Sequence, residues 1–269
     1  MTALHNKYKA LLIDLDGTMY HGDSPIEGAS QLITYLQENN WLYRFVTNNS
    51  SATAQQVAER LNKMGISANA EHICTSAQAT AHYIAKQSGP IKPKVFVIGE
   101  HGLRDALLDA GIEITDENPD YVVQGIDKSF NYEKATQAIT FIRGGATFIM
   151  TNPDLLLPAN GGFIPGAGSI GAMLQASSGK QPIVIGKPSK ILVHYALSQL
   201  GIEAHEALVV GDNMSTDIAA GVHSGCGTVL LYTGLTNANN KSYYTEQAGC
   251  DAEYIFDTIS DFQQFLMED

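Results

Sequence analysis

Short apolar runs alternate with stretches of helical periodicity along almost the whole chain, a pattern that predicts an α/β fold built on a parallel sheet. Lys9 to Leu15 reads as the first strand, with Ala10, Leu11, Leu12 and Ile13 unbroken and Gly17 marking the turn after it. Ala29, Leu32, Ile33 and Leu36 recur on one helical face, and Trp41 to Val46 reads as a second strand. Thr53-x-x-Gln56 is a capping-box signature ahead of Val57, Leu61 and Met64, with Gly65 as the stop. Further strands are predicted at Lys94 to Ile98, Tyr121 to Gln124, Ala146 to Met150, Ile183 to Ile185, Ala207 to Val210 and Thr228 to Leu231. Helices are predicted at His101 to Ala110, Tyr132 to Arg143 and Ser189 to Leu200.

Four of the apolar runs end in polar clusters. Asp14-Leu15-Asp16-Gly17-Thr18 follows the first strand and Thr47-Asn48-Asn49-Ser50 the second. Gly186-Lys187-Pro188-Ser189 follows Ile183 to Ile185, and Gly211-Asp212-Asn213-Met214-Ser215-Thr216-Asp217 follows Ala207 to Val210. Ligands of open parallel sheets sit beyond the carboxyl ends of the strands, so these clusters are candidate chemistry. Singly, each has a plainer explanation: an Asp-Gly turn, an Asn-Ser turn, a solvated lysine, or a cap in which Thr216 or Asp217 starts the helix carrying Ile218, Ala219 and Val222.

Together, at one edge of one sheet, they pose an electrostatic problem. Two carboxylates about 4 Å apart repel by roughly 4 kcal/mol at an effective dielectric of ~20. Gathering Asp14, Asp16, Asp212 and Asp217 therefore requires a cation or protonation. The donors are all oxygens, which suits Mg2+. An EF-hand is excluded, because the glycine comes too soon after Asp14-x-Asp16 and Pro25 stands where the final glutamate belongs. Pro188 favours extended geometry at Lys187 and suits the first helical position. The lysine is then expected to be a fixed point charge for a phosphate oxygen, whose removal leaves folding intact. Thr47, with the amides of Asn48 and Asn49, is placed to donate hydrogen bonds to the other oxygens.

DxDGT, a threonine ending the second strand, Gly-Lys-Pro and GDNxxTD, in that order, resemble the motifs of the haloacid dehalogenase (HAD) superfamily of aspartate-nucleophile phosphatases. The resemblance implies that Asp14 attacks phosphorus and becomes an aspartyl-phosphate, while Asp16 protonates the leaving alcohol and later activates water. It implies that Thr47 and Lys187 hold the transferring phosphoryl group. It further implies Mg2+ held by the Asp14 carboxylate, the Asp16 carbonyl and Asp212, with Asp217 nearby through water.

Between Thr18 and Thr47 there is room for a turn and one helix, whereas well over a hundred residues separate Asn49 from Lys187. A single βαβ unit needs about 30, so a second domain is expected in the later gap. Among HAD phosphatases that placement resembles an α/β type-2 cap. Val123-Gln124-Gly125, Thr151-Asn152-Pro153-Asp154 and Pro165-Gly166-Ala167-Gly168-Ser169 resemble the NagD-like, p-nitrophenylphosphatase-like branch. The expected architecture is a Rossmann-like core from residues 1–81 and 182–269 with a cap from 82–181. Asn152 and Asp154 follow a cap strand and are either substrate contacts or parts of an ordinary Asn-Pro-Asp turn.

Composition narrows the partners. The formal net charge of −12 over 269 residues argues against a nucleic-acid or anionic-membrane surface. No apolar run approaches the ~20 residues of a membrane span, and Met1 to Lys9 lacks the apolar stretch of a signal peptide. Three widely spaced cysteines without a CxxC suit a reducing cytoplasm. Gly166-x-Gly168-x-x-Gly171 matches a dinucleotide fingerprint, but no acidic residue follows at the required distance and no clear strand leads into it. Tyr8, Tyr20, Trp41 and Phe45 are expected in the core or at its rim, and Cys74 in the core.

The expected function is Mg2+-dependent hydrolysis of small phosphomonoesters, of the sugar phosphate or nucleotide monophosphate type and including p-nitrophenyl phosphate. The alternatives are a phosphotransferase or mutase on the same core, and a phosphate-sensing module without turnover. The expected partner is a small phosphorylated metabolite, and self-association is left open.

Overall fold

The computed structural model of the protein describes residues 7–159 and 162–268. Met1 to Asn6, most of the stretch read as leaderless, lie outside the described residues. In chain order the strands are β1 (Ala10–Ile13), β2 (Tyr20–His21), β3 (Ser24–Pro25), β4 (Leu42–Thr47), β5 (Ile73–Thr75), β6 (Lys94–Ile98), β7 (Glu113–Ile114) and β8 (Tyr121–Gln124). They continue with β9 (Thr147–Met150), β10 (Leu156–Ala159), β11 (Gly162–Pro165), β12 (Ile183–Val184), β13 (Ala207–Gly211), β14 (Gly227–Leu231) and β15 (Tyr254–Phe256).

The chain divides into two compact units. Of the described residues, the first contains 7–47, 54–74 and 187–268. Its six-stranded sheet runs β15-β14-β13-β1-β4-β5, with β1 parallel to β13 on one side and to β4 on the other. Ala10, Leu11, Leu12 and Ile13 are all buried, as a central strand covered on both faces requires. Leu11, Leu12 and Ile13 each contribute about 1.5–3 kcal/mol on removal from water. The helix Ala29–Glu38 buries the four residues expected of its apolar face, Ala29, Leu32, Ile33 and Leu36. Tyr8, Tyr20, Trp41, Phe45 and Cys74 are buried as well.

Of the described residues, the second unit contains 48–53, 75–159 and 162–186. Its sheet runs β12-β9-β8-β6-β7, all parallel. The unit is wider than the 82–181 expected from sequence. At its start, Thr75 caps the helix Ser76–Ser88 through a capping box with Gln78, which makes that helix a single element from its first turn. At its end, Ile183 and Val184 pair with Ile149 and Met150, so β12 belongs to this sheet and not to the sheet of β1. The backbone continues the pairing through Ile185 and Gly186, whose amides donate to the carbonyls of Met150 and Thr151. Lys187 is thus the first residue of the returning core segment rather than the tip of a core strand.

The glycine fingerprint has a packing explanation here. Contrary to the sequence reading, a strand does lead into it, but β11 pairs antiparallel with β10 in a separate hairpin and not in a βαβ unit. The helix Ala167–Ser178 follows directly. A Cβ on Gly166 would lie 2.2 Å from the Asp154 carbonyl oxygen, and one on Gly168 would lie 2.1 Å from that of Pro153. Those glycines let the helix seat against the Pro153-Asp154 turn. Among the described residues no helix is long and apolar enough to cross a membrane.

Candidate active site

Three of the polar segments converge within the first unit. The Asp14 amide donates to the Val210 carbonyl at 2.9 Å, tying the end of β1 to β13, whose own end delivers Asp212 and Asp217. Carboxylate oxygens of Asp14, Asp212 and Asp217 all come within 4.8 Å of one another. Lys187 Nζ is ion-paired with Asp14 Oδ1, lies 2.7 Å from Asp217 Oδ1, and donates to the Val46 carbonyl at 2.9 Å. That last bond fixes the lysine against β4 one residue before Thr47, which is buried. Thr18 Oγ1 lies 3.1 Å from Asp212 Oδ1 and 3.4 Å from Asp14 Oδ2, so one hydroxyl spans two of the acids.

The local sequence makes this crowding feasible. Gly17 has φ +90°, and a Cβ there would sit 2.6 Å from Asp212 Oδ2. Gly211 would bring a Cβ to 2.3 Å from the Cβ of Asp217. Beyond β13 the chain forms a π-helical turn, Met214–Ile218, before the helix Ala219–Ser224. Its cap is Asn213, whose side chain accepts from the Ser215 amide at 2.9 Å, and not Thr216 or Asp217 as the sequence suggested. The wide turn leaves Asp217 facing inward, where its Oδ2 accepts from the Asn213 amide at 3.1 Å. Pro188 likewise departs from expectation: the Lys187-Pro188 peptide is cis, and the helix begins at Lys190 behind a Ser189 cap.

Burial dominates the electrostatics. It raises the Asp14 carboxyl well above its ordinary range; Asp217 adds to the effect and Lys187 opposes it. Burial, followed by Asp217, pushes Asp212 up to about 6. Asp16, also raised by burial, is partly held down by Arg60 and His21. Lys187 would lose affinity for its proton through burial, but Asp14 and Asp217 outweigh that and hold it above its ordinary value. Three closely spaced carboxylates with one compensating ammonium leave excess negative charge in a desolvated place. Oxygen donors carrying that excess fit a hard divalent cation such as Mg2+.

The other expected site residues gather inside the second unit. The Asn48 side-chain amide donates to Asp154 Oδ2 at 3.2 Å, and Asn152 donates to the Asn48 carbonyl at 2.8 Å. Ser76 Oγ donates to the same carbonyl at 2.7 Å. Asn152 and Asp154 therefore brace the segment after Thr47. Asn49 Oδ1 accepts from the Ser51 and Ala52 amides at 2.9 and 3.0 Å, an Asx turn that occupies its side-chain oxygen.

One contributor escaped the sequence reading. The segment after β14 supplies the Leu235 amide, which donates to Asp212 Oδ2 at 2.7 Å, and Gly234, where a Cβ would lie 2.1 Å from the same oxygen. Thr233-Gly234 follows an apolar run as the other clusters do, so the same rule could have found it.

Residues 11–113 match the profile of the haloacid dehalogenase-like hydrolases, and residues 184–262 match that of HAD-hydrolase-like proteins. A Bacillus subtilis 5'-nucleotidase, YutF, is 46% identical over 229 residues, covering 85% of this chain and 89% of its own. An acid sugar phosphatase of Staphylococcus epidermidis is 46% identical over 230 residues, covering 85% and 88%. Among solved structures, a p-nitrophenyl phosphatase from Archaeoglobus fulgidus superposes with a TM-score of 0.90 at 35% identity, over 96% of this chain and 99% of that one. A 4-nitrophenylphosphatase from Thermotoga maritima gives 0.89 at 32% identity, over 98% and 99%. The chain belongs to the haloacid dehalogenase-like hydrolases, in their NagD-like branch.

Proposed function

We propose that this enzyme is a Mg2+-dependent phosphatase that hydrolyses small phosphomonoesters through an aspartyl-phosphate at Asp14. The observation that carries the reading is the convergence of Asp14, Asp212, Asp217 and Lys187 in one buried cluster. In this reading an Asp14 carboxylate oxygen attacks phosphorus as the ester P–O bond breaks, and the Asp16 carboxyl gives its proton to the departing oxygen. Asp16 then takes a proton from water, which attacks phosphorus and releases inorganic phosphate with Asp14 restored. Lys187, Thr47 and the amides of Asn48 and Asn49 hold the phosphoryl oxygens. Asp14, Asp212 and the Asp16 carbonyl, with Asp217 through water, would hold Mg2+, which supplies charge neutralisation for the phosphoryl oxygens.

The names of the relatives support nucleotide monophosphates or sugar phosphates as the substrate class, and the three dispersed cysteines support a cytoplasmic setting. Steady-state release of inorganic phosphate from p-nitrophenyl phosphate with Mg2+ tests the reading. Many equivalents per chain, abolished by EDTA and restored by Mg2+, are expected. At most one equivalent of p-nitrophenol, with no inorganic phosphate released, would indicate phosphorylation without hydrolysis, and a phosphoryl group passed to an added alcohol instead of water would indicate a transferase.

A further inference from the structure

The turn that carries Asp16 is tied to a hairpin too small to hold its own shape. Asp16 forms an isolated bridge with Tyr20, the Gly17 amide donates to the Tyr20 carbonyl at 2.8 Å, and the Met19 and Tyr20 amides donate to the Leu15 carbonyl at 2.8 and 3.3 Å. Beyond Tyr20, β2 and β3 pair over only two residues each around Gly22-Asp23. Even a full two-stranded hairpin is marginal alone in water, so the position of this one must be imposed from outside.

Two clamps impose it. On one side, the Thr233 carbonyl lies 2.7 Å from His21 Nε2, and Thr233 Oγ1 donates to the Gly17 carbonyl at 2.7 Å. On the other side stands Arg60, in the last turn of the helix Ala54–Lys63. Its Nη2 donates to the Gly22 carbonyl at 2.6 Å and lies 3.3 Å from Asp23 Oδ1, and its guanidinium sits 4.7 Å from the centre of the Tyr20 ring. Asp23 is almost fully exposed, so that ion pair contributes little. The charge-assisted bond to the Gly22 carbonyl and the cation–π contact with buried Tyr20 are the stronger contacts.

We propose that Arg60 is a positioning residue for Asp16: by pinning Tyr20 and Gly22 it fixes the turn that aims the proton-donating carboxyl at the leaving oxygen. The inference rests on the proposed role of Asp16. It distinguishes Arg60 from a residue that only stabilises the fold, because a misaimed acid hurts substrates in proportion to how much their leaving group needs a proton.

The test compares kcat/KM for phenyl phosphate and p-nitrophenyl phosphate, which are similar in shape but differ in leaving-group basicity, in wild type, Arg60→Ala and Arg60→Lys. Arg60→Ala is expected to lower the phenyl phosphate value by roughly tenfold or more and the p-nitrophenyl phosphate value by less than about threefold, since general acid catalysis contributes about 10²–10⁴-fold in all. Arg60→Lys, which keeps a cation, is expected to recover part of the loss. Equal losses on the two substrates, or no loss on either, would overturn the proposal. If Arg60→Ala does not fold, Arg60→Gln, which keeps a donor for the Gly22 carbonyl without the charge, takes its place in the same comparison. A wild type inactive on both esters would sink the phosphatase reading itself and not this inference alone.

Discussion

Lys187 Nζ and Asp217 Oδ1 lie 2.7 Å apart with both side chains sealed from water, at 3% and 2% exposure. The lysine is therefore part of the core's charge balance, facing Asp14 and Asp217 together. This revises the expectation that it could be removed without harm to folding. Lys187→Ala would leave two carboxylates buried without their counter-ion, a loss of about 3–5 kcal/mol for a broken buried pair. The midpoint of urea unfolding in EDTA is expected to fall accordingly, along with kcat. An unchanged midpoint would mean that the pair contributes nothing net.

Asp212 supplies a test of charge crowding with a definite sign. Its carboxyl titrates near 6 in the folded chain against 3.8 for a free side chain, through burial and then Asp217. Between those values the folded form retains a proton that the unfolded chain has released. Its contribution to stability is whole below about pH 4 and is lost as pH rises through about 6, a loss of up to about 3 kcal/mol at neutral pH. Asp212→Asn removes that loss, so it should raise the metal-free melting temperature at neutral pH by several degrees, with little change near pH 4. If Asp212 holds Mg2+ as proposed, the wild type should gain melting temperature on adding Mg2+ and the Asp212→Asn variant should not. A lower neutral-pH melting temperature in the variant would contradict this electrostatic picture.

Gly17 tests the turn. Gly17→Ala meets a φ of +90° and puts a Cβ on the Asp212 carboxylate. Backbone strain alone costs about 1–2 kcal/mol, and displacement of Asp212 should remove most activity. Gly201→Ala is the control: its φ is +67°, but nothing lies within 4 Å of the added carbon. It should show the strain without the loss of turnover. Comparable activity in the two variants would mean that contact with Asp212 is unimportant.

The elements were legible where periodicity was strong. The helix Tyr132–Arg143 and the strands Lys94–Ile98 and Tyr121–Gln124 stand where the apolar pattern put them. Asp14, Asp212 and Lys187 could be grouped because charged residues directly after apolar runs are few and cluster at strand ends. What sequence could not reveal was partnership across distance. Ile183–Val184 has the composition of any short strand, and only its pairing with β9 assigns it to the second sheet. Thr216 and Asp217 have the chemistry of caps, yet Asn213 precedes them and takes the cap, which turns Asp217 inward. Arg60 lies on a helix whose apolar face is readable, but its reach to Gly22 depends on how the chain folds back.

The role given to Asp14 is tested most directly by comparing Asp14→Asn with wild type on p-nitrophenyl phosphate in saturating Mg2+, each with its unfolding transition recorded. Loss of the nucleophilic oxygen should cut turnover by more than about a thousandfold while a cooperative unfolding transition remains. Turnover in folded Asp14→Asn close to that of the wild type would place the nucleophile elsewhere.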